Sequence, residues 1–149
     1  MKKVALIICF LGILGFSLNT QAQTISEKNI ISGSIMGTSS YIGVTYERLL
    51  SDEVSVELGI GIISIGFGAT YFPWKIKEDD FNFYTGLKYN SPNVITAAFL
   101  IPGRTNSQVY IPIGFNYPFD EGLTIAIDFG PNLNGQNAVF GNLKVGYRF

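Results

Sequence analysis

Six ionisable side chains are the first candidates for chemistry, because each alternates with apolar neighbours along a short segment. A paired acid and base could exchange a proton, and two carboxylates could divide acid and base roles between them. The set holds three acids and three bases, so we expect a balanced internal charge network rather than a catalytic carboxylate pair. Its members are Glu47, Glu57, Lys88, Asp128, Lys144 and Arg148.

The residue types on which most enzymes and metal sites depend are scarce here. The sequence contains no histidine and one cysteine, Cys9, which argues against a Ser-His nucleophile pair and against His or Cys metal sites. The tripeptide 128–130 matches a kinase motif by chance, since no glycine-rich phosphate loop accompanies it. Residues 38–41 carry hydroxyls and are expected to form a solvated loop. We therefore expect no enzymatic activity, no cofactor and no metal.

β-Strands are the elements that must position these side chains. Apolar and polar residues alternate from 142 to 149, which gives a strand one apolar and one polar face. The uncharged segment 58–74 contains glycines at period 2, which would destabilise a helix by about 1 kcal/mol each. The same reading predicts eight strands, at 28–36, 40–49, 53–62, 64–73, 81–90, 108–118, 122–130 and 138–149.

One alternative assignment of the strands stays open. Residues 94–101 are apolar enough to form a strand, and 54–72 could then be one long strand without a hairpin, which again gives eight. A single strand of 19 residues far exceeds the usual length, so we favour the hairpin.

The apolar rows on the outward faces would need a covering layer. A lipid bilayer supplies one, and a closed barrel leaves no unpaired strand edge in it. The predicted fold is therefore all-β, a closed antiparallel up-and-down transmembrane barrel. We expect Asp128 and Lys144 to pair inside, with Glu57 nearby, and inward glycines to leave room for Tyr84 and Tyr110. Other predicted inward residues are Thr45, Thr70, Asn82, Asn116, Thr124 and Asn142; the glycines are Gly43, Gly59, Gly61, Gly66, Gly68, Gly86 and Gly114.

The N-terminal segment has the composition of a secretory signal peptide. Lys2 and Lys3 precede an apolar stretch too short for a spanning helix, and we expect cleavage after Ala22. Cys9 lies inside that apolar stretch without a preceding small residue, so we do not expect a lipoprotein. Cleavage leaves one domain, residues 23–149, with eight basic and eleven acidic side chains (10 minus Lys2 and Lys3, against 11). Without a basic cluster, we expect no nucleic-acid binding.

The connections between strands predict an orientation. Three compact turns, at 51–53, 77–80 and 119–122, hold seven of the eleven acids and fall at one end of the barrel. Bacterial barrels have short periplasmic turns and longer outer loops, so this end is expected to face the periplasm. The outer connections are expected at 37–39, near Ile63, at 91–107 and at 131–137. Aromatic residues near the predicted periplasmic end form a predicted interfacial girdle: Tyr46, Tyr71, Trp74, Phe81 and Tyr117.

These features together resemble the small OmpA/OmpX-type outer-membrane β-barrels of gram-negative bacteria. The resemblance is carried by the signal peptide, the alternating strands, the segment Val109–Gly114 and the ending Gly146–Phe149. It implies an outer-membrane location, lipid as surroundings, a monomer, and recognition by the barrel-assembly machinery during biogenesis. The implied assembly signal consists of Leu143, Val145, Tyr147 and Phe149.

Three functions remain open at the level of sequence. The favoured one is a non-enzymatic barrel with a side-chain-plugged lumen and a structural or surface-interaction role through its outer loops. The second is a channel or carrier for small solutes or apolar molecules, suggested by glycine-lined strands and the long connection 91–107. The third is a soluble exported lipocalin-like binding barrel, which would need its apolar face turned inward.

Overall fold

The computed structural model describes residues 27–39, 41–62, 64–91, 107–134 and 139–149, so the predicted signal peptide lies outside the described residues. No helix in these ranges is long and apolar enough to span a membrane. A 3-10 turn, Gly37–Ser39, joins the first two strands. The strands are β1 (Asn29–Met36), β2 (Ile42–Leu49), β3 (Val54–Gly61), β4 (Ile65–Tyr71), β5 (Asn82–Ser91), β6 (Gln108–Tyr110), β7 (Ile113–Pro118), β8 (Leu123–Pro131) and β9 (Val139–Arg148).

Antiparallel pairing closes the strands into an up-and-down barrel. The first strand, β1, pairs with β2 on one side and with the last strand, β9, on the other, so that Ile30 lies opposite both Glu47 and Arg148. β4 pairs with β5, and this pairing closes the ring of strands. The predicted all-β closed barrel is confirmed.

The sixth position of the barrel wall is shared by two short strands. β6 pairs with residues 88–90 of β5, and β7 pairs with residues 82–85 of the same strand. The ladder breaks at Ile111 and Pro112, because a proline has no N–H to donate. β6 and β7 together match the predicted segment 108–118, so the barrel has eight wall positions built from nine strands in the described residues.

The preferred hairpin assignment is also confirmed. β3 and β4 are separate strands whose antiparallel register runs from Val54 opposite Tyr71 to Ile60 opposite Ile65. The alternative of one long strand over 54–72 is therefore wrong. The other half of that alternative, a strand at 94–101, falls outside the described residues.

Each strand presents an apolar face outward and a polar face inward. β8 shows this most regularly, with strict alternation of exposed and buried positions along its length. β-Branched and aromatic side chains on the outer face favour the extended backbone. The predicted inward asparagines and threonines are all buried: Thr45, Thr70, Asn82, Asn116, Thr124 and Asn142. We call the end with the connections after β2, β4 and β7 the turn end, and the opposite end the loop end.

Candidate functional site

A lysine from β9 holds two carboxylates from β2 and β3 inside the barrel. Lys144 Nζ lies 2.7 Å from Glu47 Oε2 and 2.8 Å from Glu57 Oε2. β1, which lies between β9 and β2, presents the small Ser34 opposite Lys144, so the long lysine side chain can cross above it. Ser55 Oγ donates a hydrogen bond of 2.5 Å to the other oxygen of Glu47. These contacts compensate for the loss of water around three buried charges.

The second cluster surrounds Asp128 on β8. Its carboxylate accepts hydrogen bonds from Lys88 Nζ at 2.9 Å, Tyr84 OH at 2.7 Å, Tyr110 OH at 3.1 Å and Asn142 Nδ2 at 3.0 Å. The two tyrosine rings also flank the Lys88 ammonium, with ring centroids at 5.7 and 6.0 Å. Four donors from three strands, β5, β6 and β9, therefore converge on one carboxylate.

Glu57 joins the two clusters into one network. Its Oε2 contacts Lys144, while its Oε1 lies 3.4 Å from Lys88 Nζ. The structure thus brings together five of the six predicted lumen charges, three acids and two bases. Arg148 lies apart at the turn end, because it is four residues further along β9 than Lys144. There it contacts Glu78 at 2.7 Å and Glu27 at 3.8 Å.

The predicted pair of Asp128 and Lys144 is wrong. Asp128 lies opposite Asn142 and Lys144 lies opposite Ala126, so the two are diagonal neighbours on adjacent strands. Lys144 instead extends over the serines of β1 toward Glu47, and Asp128 is occupied by Lys88 from across the lumen. Glu57 does lie beside Lys144, as predicted.

The turn between β1 and β2 folds into the barrel. Gly37, Thr38 and Ser39 are buried, so the expectation of a solvated loop is wrong for these residues; Tyr41 is exposed and Ser40 lies outside the described residues. Positive φ angles at Met36 (68°) and Gly37 (65°) bend the chain inward, and the glycine adopts this conformation without strain. We call residues 37–39 the inward turn.

Hydrogen bonds hold the inward turn in place. Asn90 Nδ2 on β5 donates to Gly37 O at 3.0 Å. Ser39 Oγ donates to Met36 O at 2.8 Å and lies 2.7 Å from Ser34 Oγ. The turn therefore covers the loop end of the ion-pair network and is tied to strands on both sides of the lumen.

The inward glycines make room mainly for backbone, which corrects their predicted role beside Tyr84 and Tyr110. A Cβ at Gly59 would lie 2.5 Å from Thr38 Oγ1, and one at Gly61 would overlap Ser39 O. Added Cβ atoms at Gly43 and Gly66 would also meet the inward turn. Gly68 instead leaves room for Lys88 and Glu57, while Gly86 and Gly114 closely approach neighbouring strands. Glycines at adjacent inward positions of β2, β3 and β4 are the feature of the sequence from which this turn could have been predicted.

The turn end of the lumen is closed by apolar side chains that the sequence reasoning missed. The connection after β4 turns under the barrel, where Phe72 and Ile76 are buried against Leu49, Tyr84 and Ala126. Ile76 N donates to Asp52 O at 3.0 Å, which fixes the connection against the neighbouring turn. We call Leu49, Phe72 and Ile76 the apolar floor. Predicting a turn only at 77–80 overlooked it.

The residues assigned to the girdle and to the assembly signal lie on the outer face. Phe81 and Tyr117 form an edge contact with ring centroids 5.0 Å apart, and Tyr46 OH donates to Asn29 Oδ1 at 2.7 Å. Their roles as girdle and assembly signal stay predictions. Large exposed side chains from these two sets are Tyr46, Tyr71, Trp74, Phe81, Leu143, Val145, Tyr147 and Phe149.

Fold and site together define a closed eight-position antiparallel barrel with a polar, ion-paired interior and an apolar exterior. The sequence matches no protein-family model and no curated protein. A solved structure with a similar fold is the solution NMR structure of the P92A mutant of Outer Membrane Protein G from Pseudomonas aeruginosa. The identity is 13% and the TM-score 0.51, over 85% of this chain and 99% of that one. At this identity the likeness shows the fold alone.

Proposed function

We propose that the protein is an integral barrel of a gram-negative outer membrane, of the OmpA/OmpX type. The observation that carries the proposal is the distribution of faces around the whole ring. Apart from Arg48, the large exposed side chains around the ring are apolar, such as Ile31, Leu58, Phe67 and Ile127, while the other ionised side chains of the strands are buried inside. Apolar surface this continuous far exceeds the patches of soluble monomers. A bilayer would cover it, and ring closure satisfies the backbone there.

The same distribution argues against a soluble lipocalin-like barrel. Such a barrel needs an apolar cavity and a charged exterior, whereas here Glu47, Glu57, Lys88, Asp128 and Lys144 are buried in the interior. The N-terminal segment 1–22 supports export of the chain, and the apolar outer row of β9 supports its recognition during assembly.

The physiological role that follows is non-enzymatic: a sealed barrel that contributes to envelope structure or to surface contacts through its outer loops. Three layers support a sealed lumen, namely the inward turn, the ion-pair network and the apolar floor. The glycines that suggested a channel are covered by the inward turn, which removes that argument for conduction.

Heat-modifiability in SDS gel electrophoresis tests the barrel and its location. The protein is expressed with its N-terminal segment, and washed outer membranes are compared unheated and boiled. A closed barrel should resist unheated SDS and change its mobility after boiling. Recovery in a periplasmic extract without detergent, with no mobility change, would contradict the proposal.

Planar bilayer recordings test the sealed lumen separately. The purified, heat-modifiable protein should give a flat current trace under an applied voltage. Steady current steps that scale with salt concentration would show that the barrel conducts, and would favour the channel instead.

A further inference from the structure

Among the described strands, one charged side chain points outward. Arg48 is exposed near the end of β2, where the alternation places it on the same face as Val44 and Tyr46. The other charged residues of these strands, such as Glu57, Lys88 and Asp128, are buried in the lumen. Arg48 therefore stands alone on a surface that is otherwise apolar or uncharged.

The two register partners of Arg48 supply a second donor but no acid. Its register partners are Asn29 on β1 and Val56 on β3. Asn29 Oδ1 accepts the hydroxyl of Tyr46 at 2.7 Å, which leaves the amide nitrogen as a donor at the surface. Within the part of the chain that the structure describes, no carboxylate pairs with Arg48.

An exposed guanidinium at this height is placed to bind an anionic group of the surroundings. Leu49 ends β2 one residue later, so Arg48 lies near the turn end, and its register row lies between those of the exposed aromatics Tyr46 and Tyr71. Such aromatics mark the boundary between hydrocarbon and headgroups. The aliphatic stem of arginine can lie along apolar surface while its planar head binds phosphate oxygens in bidentate fashion.

We propose that Arg48, with the Asn29 amide beside it, binds the phosphate of a phospholipid headgroup in the leaflet at the turn end. This inference rests on the proposed function, because it needs the barrel to span a bilayer. Phospholipid is the occupant that the site favours, since the surrounding outer face is apolar and would hold the acyl chains. An acidic segment of a protein would lack that apolar complement.

Native mass spectrometry tests the site. The mature protein, first shown to be heat-modifiable, is purified in dodecyl maltoside, which carries no phosphate, and titrated with phosphatidylglycerol. Arg48→Gln should weaken the tightest lipid-binding step roughly tenfold, because a charge-assisted bond to phosphate is lost. Arg48→Lys should retain part of the affinity. The same losses are expected with phosphatidylethanolamine, since the phosphate is the bound group.

Lys77→Gln is the matched control, because it also removes one exposed positive charge from the same end, but from the connection after β4 and not from the outer face of a strand. It should leave the binding step unchanged. Equal loss in both variants, or no loss in Arg48→Gln, would overturn the headgroup site. Because every variant is first checked for heat-modifiability, failure of the barrel itself would be recognised before any lipid is added.

Discussion

At the scale of single residues, the sequence showed which side chains enter the lumen but not which of them meet. Alternation alone places Glu57, Lys88 and Asp128 on the inward face. The choice of partner depends on how far a side chain reaches and on which neighbours are small, as when Lys144 crosses above Ser34 to Glu47. Those distances arise from the curvature of the whole ring. They could not be read from any local segment, which is why the predicted partner of Lys144 was wrong.

Glu57→Gln should be strongly destabilising, because Glu57 is the acid that contacts both buried lysines. Removing one member of a buried ion network leaves an uncompensated charge and costs about 3–5 kcal/mol. The free energy of unfolding is measured by urea denaturation in phospholipid vesicles. Glu121→Gln, an exposed residue of the turn after β7, is the control and should change it by less than about 0.5 kcal/mol. Equal small effects would mean that water reaches Glu57.

At the scale of elements, the eight wall positions and their approximate bounds followed from alternation, because side chains on a strand have a strict period of two. Alternation did not predict the break that divides 108–118 into β6 and β7. The connections were harder to predict, since a turn carries no such period. The inward turn was predicted to be a solvated loop, and the apolar floor was not predicted at all. Gly59 and Gly61 gave a local sign of close backbone approach, but the sequence did not say which segment approaches them.

Gly61→Ala should expel the inward turn while leaving the strands paired, because the three atoms nearest the added Cβ all belong to Ser39. The readout is labelling of a Ser39→Cys thiol by a membrane-impermeant maleimide, located by peptide mass. The thiol should be protected in the Ser39→Cys background and labelled when Gly61→Ala is added. Gly33→Ala is the control, since its Cβ would have no contact closer than 3.9 Å. Persistent protection in a folded Gly61→Ala protein would disprove the tight fit.

Ile76→Ala should weaken the apolar floor. Ile76 is 7% exposed, and truncating a buried isoleucine costs about 2–5 kcal/mol through lost burial and a residual cavity. Leu50→Ala removes a similar amount of apolar surface from a side chain that is 57% exposed, so it should cost less than about 1 kcal/mol. Urea denaturation in vesicles compares the two. If both lose the same stability, the connection after β4 does not seal the barrel.

At the scale of the whole molecule, the sequence predicted a closed barrel because apolar rows recur on every strand. A ring of strands surrounded by lipid covers all of these rows and leaves no strand edge unpaired. The prediction of the barrel rests on all the strands together, so an error in one connection or one ion pair does not change it. The displaced turn and the exchanged ion-pair partners leave the inside and outside assignment intact, since both concern contacts within the lumen.

Ile127→Arg tests which side of the barrel faces lipid. Ile127 is 56% exposed in the middle of β8, and an arginine at mid-bilayer depth should destabilise the barrel by about 2–4 kcal/mol. Leu133→Arg lies beyond the end of that strand, where the cost falls to about 0–1 kcal/mol. Refolding equilibria in vesicles measure both. A neutral Ile127→Arg would indicate that water, not lipid, surrounds the ring.

The inward turn also has an evolutionary consequence. Residues 38 and 39 share their space with residues 59 and 61, so selection acts on the two pairs jointly although they are distant in sequence. A descendant that acquires a side chain at 59 or 61 must lengthen or redirect the turn, and one that projects the turn outward frees those positions to vary. Covariation between the two pairs should therefore distinguish homologues with a sealed mouth from those with an open one.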